Sequence, residues 1–343
     1  MLYIDGSHGE GGGQILRTAL ALSLLLQRPI RVTNIRAGRS KPGLRPQHLA
    51  AVQAAARIGQ AQVEGASPGS QEITFHPQGV RGGNYHFAIP TAGAATLLLQ
   101  TVLLPLALAG ETSTLRLQGG THVPWSPTYE YLAWHFAPFV ERLGLRLRVQ
   151  LVKAGFYPKG GGEMIVHIRP AEEPLRPLRL TERGALLRVR GLSAVANLPD
   201  HILRRQKHQA LRRLQGLPCP LKVRSERLPS PGQGTVVVLR AEAEQGAGCF
   251  TALGAKGKPA ERVADEAAHA LLAYLESHAA VDAHLADQIL LPLAFAAEPS
   301  VFTTEAITNH LRTLAWLLET FGVARVLLDE GPPPRVEVHP LSA

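Results

Sequence analysis

Aromatic residues make up only 5% of the 343 positions, so any contact that stacks a nucleobase on a ring can involve few places. The two cysteines, Cys219 and Cys249, have no metal-ligand spacing, which excludes a disulfide framework and a zinc site. No apolar run reaches membrane-spanning length, and the first residues carry an acid and a run of glycines where a secretory leader would need a basic start and a cleavage site. The expectation is a cytoplasmic protein with no membrane partner. Acid is also missing locally: none stands between Glu10 and Glu64, while Arg17, Arg28, Arg31, Arg36, Arg39, Lys41, Arg45 and Arg57 all fall there. With a net charge of +9, the chain favours acidic partners such as nucleotides or nucleic acid. An apolar fraction of 45% with 18% charged residues is that of a folded chain with material for more than one core.

The richest local signal is the opening, Asp5-Gly-Ser-His-Gly-Glu10-Gly-Gly-Gly-Gln14-Ile-Leu-Arg17, where a glycine-packed turn runs into an apolar helix. Such a turn bares backbone N–H groups to an anion and points a helix dipole at it. It is neither the Walker pattern nor the dinucleotide fingerprint, and a tight chain reversal explains the glycines as well. The basic loop Arg36-Ala-Gly-Arg39-Ser-Lys41-Pro-Gly-Leu-Arg45-Pro-Gln47-His48 holds arginine forks suited to phosphate oxygens. The plainer alternative for it is a solvated basic face.

Three helix-ending glycines, Gly59, Gly144 and Gly322, line up an internal repeat. Before each the order is a turn, an apolar helix, a strand, a polar loop and a second amphipathic helix, with the apolar helices predicted over about 15–27, 91–109 and 284–297. Three lobes follow at about 1–83, 84–175 and 280–343, each two helices on a small sheet, an α/β (α+β) class. Between the second and third lies an insert with its own strand, helix and strand pattern, which divides the chain into 1–180, 181–279 and 280–343. From Arg183 to Arg224 it carries ten lysines or arginines against the single acid Asp200, including Arg204, Arg205, Lys207, Arg212 and Arg213 on one helical stretch. A second polyanion contact and a merely solubilising helix face both fit that pattern.

The third lobe contains His284-Leu285-Ala286-Asp287-Gln288 and then Asn309-His310. At helical spacing His310 shares a face with Leu314, Leu317 and Phe321, as a core histidine would. It also occupies the place before Gly322 that Gln47 occupies before Gly59, so pseudo-symmetry can bring both to one cleft, where a neutral imidazole serves as base or nucleophile. Two further glycine turns, Gln118-Gly-Gly-Thr121-His122 and Gly155-Phe-Tyr157-Pro-Lys159-Gly-Gly-Gly162-Glu163, fit a phosphate grip or plain β-turns.

Taken in order, the opening motif, Arg36-Ala-Gly-Arg39-x-Lys41-Pro-Gly-Leu, the Gly-Gly-Thr turn at 119–121, the turn at 155–162 and Leu285-Ala-Asp-Gln288 resemble the RNA 3′-terminal phosphate cyclases along nearly the whole chain. The resemblance implies three two-helix, four-strand modules similar to the C-terminal domain of translation initiation factor 3, with a smaller inserted α/β domain. It implies that His310 is adenylylated by ATP and that Gln100 and His284, Leu285, Ala286, Asp287 and Gln288 contact ATP. Glu10, Gln14, Arg17, Arg36, Arg39 and Gln47 would lie near phosphate or RNA, and Glu10 and Asp287 near a divalent cation, Mg2+ or Mn2+. The implied substrate is an RNA 3′-phosphate end, closed to a 2′,3′-cyclic phosphodiester. One departure stands out: the family's usual Arg or His before the turn at 155–162 is Ala154 here. A non-catalytic scaffold of the same family lacks the need for His310, and an enolpyruvyl-transferase-like enzyme would take a small acidic metabolite and form no covalent AMP.

Overall fold

The computed structural model describes residues 1–171 and 174–341; positions 172–173, in the stretch expected to lead into the insert, lie outside it. The chain opens with β1 (Leu2–Asp5), α1 (Gly13–Leu26), β2 (Ile30–Thr33), α2 (Pro46–Ile58), β3 (Gln62–Glu64) and β4 (Ile73–His76). The same succession follows in β5 (Gly83–Ala88), α3 (Ala95–Ala107), β6 (Ser113–Gly119), α4 (Tyr129–Tyr131) with α5 (Ala137–Glu141), β7 (Arg146–Lys153) and β8 (Gly162–Arg169). Between α4 and α5 the helix widens to a π-helical turn, Leu132–Phe136, closed by the Ala137 N–H on the Leu132 carbonyl. Pro138 stands just beyond, and having no N–H it leaves the Trp134 carbonyl without its α-helical donor.

After β9 (Arg179–Leu180) come β10 (Leu186–Ala196), α6 (Asp200–Leu214), β11 (Leu221–Arg227), β12 (Gly234–Ala243), β13 (Ala247–Leu253) and α7 (Ala260–Glu276). The chain ends with α8 (Ala283–Leu293), β14 (Ser300–Thr303), α9 (Asn309–Phe321), β15 (Ala324–Asp329) and β16 (Arg335–Pro340). Among the described residues, no helix is long and apolar enough to cross a membrane.

Three sheets share one strand order. In β1-β2-β4-β3, β5-β6-β8-β7 and β9-β14-β16-β15 the first pair is parallel and the others antiparallel. A parallel pair requires a crossover, supplied by α1 and α3 in the first two sheets. In the third, the crossover contains α8 and everything from β10 to α7, so the strand β9 precedes the 181–279 stretch and the third copy starts before residue 280. The Thr303 hydroxyl ties the two ends of this excursion together, donating to the Thr181 carbonyl at 2.9 Å and accepting from the Ala280 N–H at 3.0 Å.

The fourth sheet, β11-β10-β12-β13, has a different order. Its strands alternate between two cores: Val189, Val223, Val237 and Leu239 join Val263 and Leu271 of α7, while Leu192, Ala194, Val236 and Val238 join the large core. That large core runs through α1, α2, α3, α8 and α9, whose apolar stripes face one another. On α9 the stripe is Leu311, Leu314, Leu317, Leu318 and Phe321; Thr308 caps its start by accepting from the Leu311 N–H, and Gly322 ends it in the left-handed region.

Candidate active site

Helix α1 begins at Gly13 with no side-chain cap and no acid in its first turn, so its first N–H groups remain available to an anion. The glycines before it are required by crowding. A Cβ at Gly12 would stand 2.9 Å from Arg39 Nη2, and one at Gly13 would stand 2.5 Å from His48 Nε2 and 2.8 Å from Arg17 Nη1. Three cationic or donor groups thus crowd one backbone turn, as a phosphate site needs.

His310 sits in the first turn of α9 and faces this turn. Its Nδ1 is 2.8 Å from Gln14 Oε1, while Gln14 Nε2 donates to the His310 carbonyl at 3.1 Å. Its Nε2 lies 3.2 Å from Glu10 Oε2, and Arg39 Nη2 donates to that same oxygen at 3.2 Å. Burial, assisted by the Arg17, His284 and Arg39 charges, holds the imidazole below its usual pKa, although Glu10 works the other way. Because the carbonyl contact fixes the Gln14 amide, Nδ1 carries a proton, while Nε2 faces the acceptor Glu10 Oε2 and must yield its own proton there before it can act as a nucleophile.

Next to it, Gln14, Arg17, Gln100, Asp287 and Gln288 line one cavity of ≈ 80 Å³ whose remaining wall includes Leu103, Phe136, Leu291 and Leu314. Burial, with the Asp282 charge, pushes the Asp287 carboxyl up to about 8 despite Arg17. Burial likewise brings Arg17 down to about 10 against the pull of Asp287. Gln288 Oε1 is buried without a hydrogen-bond partner, an acceptor waiting for a donor from whatever fills the cavity.

The other expected residues divide. Gln47 lies at the start of α2, where its Oε1 accepts from the Ala94 N–H at 3.2 Å and so fixes the entry to α3. Arg36 donates to the Lys41 and Gly43 carbonyls at 2.6 and 3.0 Å, bracing its own loop. His284 is exposed on the first turn of α8. Leu285 and Ala286, also expected to contact ATP, have fully buried side chains, and Asp282 takes both of their backbone N–H groups, which fixes the turn that carries Asp287 and Gln288. The turn at 155–162 stands elsewhere, against the insert, with the buried Ala154 donating its N–H to the Pro229 carbonyl and Lys159 beside Gly232.

His48 is the residue that sequence reasoning did not assign. Burial foremost, then Arg17, Arg36 and Arg45, pushes it down to about 3, and its Nδ1 accepts from the Arg45 N–H. The proton must then sit on Nε2, against Gly13, as an uncharged donor. Its place directly after Arg45-Pro-Gln47 was the available signal.

The family described as RNA 3′-terminal phosphate cyclase matches residues 8–327. The RNA 3′-terminal phosphate cyclase of Methylococcus capsulatus is 46% identical over 333 residues, covering 95% of this chain and 92% of that one. That of Ralstonia nicotianae is 46% identical over 320 residues, 93% and 91% of the two chains. The cyclase of Gloeothece citriformis is 44% identical over 336 residues, 96% of each.

Proposed function

The chain belongs to the RNA 3′-terminal phosphate cyclase family, and we propose that it activates an RNA 3′-phosphate with ATP through a covalent AMP on His310 and closes it to a 2′,3′-cyclic phosphodiester. The observation that carries this reading is the pair of contacts from Gln14, which hold Nδ1 protonated and turn Nε2 toward Glu10, an acceptor for its proton, beside Arg39.

His310 Nε2 attacks the α-phosphorus of ATP, the bond to the pyrophosphate oxygen breaks, and AMP remains on nitrogen. Arg17, Arg39, the Nε2–H of His48 and the free amides of α1 neutralise the departing phosphates. The apolar cavity suits adenine, and the unpartnered Gln288 Oε1 suits its exocyclic amino group. An oxygen of the RNA 3′-phosphate next takes the phosphorus from nitrogen, leaving a 3′-pp-5′-A end. The neighbouring 2′-hydroxyl loses its proton, attacks the 3′-phosphorus and expels AMP.

Asp287 and Glu10 fit a divalent cation, because Asp287 is a carboxyl kept protonated by burial that a cation would stabilise as its anion. They would hold Mg2+ or Mn2+ together with phosphate oxygens, and the cation would supply neutralising charge. The core of modules at 1–180 and 280–343 then carries the nucleotide chemistry in the cytoplasm, with 181–279 as an insert.

The test is incubation with α-labelled ATP and denaturing electrophoresis. The protein is expected to carry an acid-labile label that His310→Asn abolishes, while the variant still cyclises RNA prepared with a 3′-pp-5′-A end. A folded His310→Asn protein that labels as well as wild type would remove His310 from the chemistry, and a wild-type protein that takes no label would favour the scaffold reading.

A further inference from the structure

The π-helical turn has two pockets, one on each side. Phe136 lines the cavity beside His310, whereas Trp134 lines a second cavity of ≈ 200 Å³ with Arg190, Gly191, Lys222 and Arg224. This second cavity lies at the seam where the outer end of the fourth sheet meets the core. Arg190 reaches the Trp134 carbonyl, the one that Pro138 leaves open, in a long contact of 3.5 Å. The Arg224 and Arg190 guanidinium carbons stand 4.7 and 5.7 Å from the Trp134 ring centroid, so the ring holds two like charges close together.

Charge on this face is in surplus. Arg188, Arg190 and Arg240 all share one carboxylate, Glu242. Among the described residues Arg224 pairs only with Glu226, at 3.4 Å. The exposed Lys222 has no ion-pair partner among the described residues. A surface that gathers five cations around two carboxylates lacks its own counter-ions.

The basic helix expected to meet a polyanion is less well equipped. On α6, Arg205 grips Glu261 through two bonds of 2.6 and 2.7 Å, and Arg213 takes Asp265 at 2.6 Å. Helix α6 also packs on the opposite face of the sheet from the seam.

We propose that the seam formed by Trp134, Arg190, Lys222 and Arg224 seats a backbone phosphate of the RNA strand upstream of its reacting 3′ end. This rests on the reading of the chain as acting on RNA. RNA is favoured over an acidic peptide because the seam lies across the π-helical turn from the cavity assigned to the nucleotide, so a strand whose 3′ end meets that nucleotide at His310 has its upstream phosphates free to extend toward the seam's surplus cations. The ring is already covered by guanidinium groups, so the seat grips phosphate without reading bases, and recognition there is independent of sequence.

The test reads binding without ATP, by fluorescence anisotropy of labelled 3′-phosphorylated oligoribonucleotides of about 4 and about 12 nucleotides, over a range of salt. Lys222→Ala combined with Arg224→Ala changes two exposed strand positions, so the fold is kept. For the longer strand the double variant is expected to bind roughly tenfold more weakly, and its salt slope to fall by about 0.7, the loss of one phosphate contact on a single strand. The shorter strand is expected to bind both proteins alike. Wild-type affinity and slope for the longer strand in the double variant would overturn the assignment, as would equal weakening at both lengths. So would an acidic peptide that binds wild type more tightly than the longer strand and loses its hold in the variant. Absence of self-labelling by ATP would count against the proposed chemistry alone, since binding is measured without it.

Discussion

Gln14 grips His310 at two points, accepting at Oε1 from the ring nitrogen Nδ1 and donating from Nε2 to the same residue's carbonyl. The second contact makes the first informative, because it fixes which end of the amide faces the ring. A residue of α1 thereby chooses the tautomer of a residue on α9, 296 positions away in sequence.

Gln14→Leu removes that choice and leaves the proton free to sit on Nε2. Labelling by ATP is expected to slow by roughly tenfold, the worth of about one hydrogen bond, with little change in the apparent affinity for ATP. Gln14→Glu should instead raise the ring's pKa through its negative charge, and the acid limb of the labelling rate should move to higher pH. An unchanged rate in both variants would detach Gln14 from the nucleophile.

Arg39 and Arg57 are both cations of the acid-free stretch, but their surroundings separate them. Arg39 meets Glu10 beside the glycine turn, whereas Arg57 lies over the rings of Tyr85 and Phe87 at 5.6 and 5.9 Å. Arg39→Ala is expected to lower labelling or transfer by about 100-fold, the usual worth of a lost charge-stabilising donor. Arg57→Ala should leave the rate near wild type and cost only a few tenths to about 1 kcal/mol of stability from the lost ring contact. Similar losses of rate in the two variants would contradict the site.

Gln288→Leu removes a buried acceptor that has no partner in the free protein. The expected outcome has opposite signs in two measurements. Thermal stability without ATP should rise, by about 1–3 kcal/mol for the relieved desolvation. The KM for ATP should increase several-fold, and discrimination against nucleotides without the exocyclic amino group should shrink. A parallel fall in both would mean that Gln288 acts in packing alone.

Glu305 carries a pH effect whose sign can be worked out. Burial, joined by the Asp282 charge, raises its carboxyl to about 7 even though its Oε1 accepts the Ala283 N–H at 3.0 Å. The unfolded chain releases this proton near the ordinary value of 4.5. Between those values the folded state binds more protons than the unfolded one, so the group's contribution to stability falls as pH rises and stays low above about 7. Glu305→Gln cannot ionise and keeps an acceptor for Ala283. Its melting temperature is expected to exceed that of wild type at about pH 8 and to converge with it near pH 5, as calorimetry or circular dichroism would show.

Much of this arrangement is written in local patterns. The face of α9 follows from the spacing of Leu314, Leu317 and Phe321, and its end from Gly322. The repeat put His310 and Gln47 at equivalent helix starts, but Gln47 holds the entry to α3, and it is Gln14 of α1 that meets His310. What escaped was non-local. Strand β9 has two residues and no periodicity of its own, so only its partner β14 reveals it. The widening before Pro138 looks like an ordinary helix in sequence. The basic run on α6 looked free because its acids stand on α7, with Glu261 56 positions beyond Arg205. Within the motif 284–288 the side chains of Leu285 and Ala286 face the core while Asp287 and Gln288 line the cavity, since a helix turns neighbours to different faces.

The hydroxyl of Thr303, which holds Thr181 and Ala280 at once, implies an order of events in folding. Leu178 and Thr181 find their partners in β14 only 122 residues later. During synthesis β9 therefore waits about 6–24 s for its sheet, at ordinary elongation rates. The fourth sheet has all its strands and both of its helices within that interval. Once it forms, its ends lie close together, and the entropy of closing a long loop has already been lost before the third sheet assembles. The third sheet is then expected to gain hydrogen-exchange protection last, after the fourth, and a substitution such as Thr303→Val should slow that late phase rather than the early one.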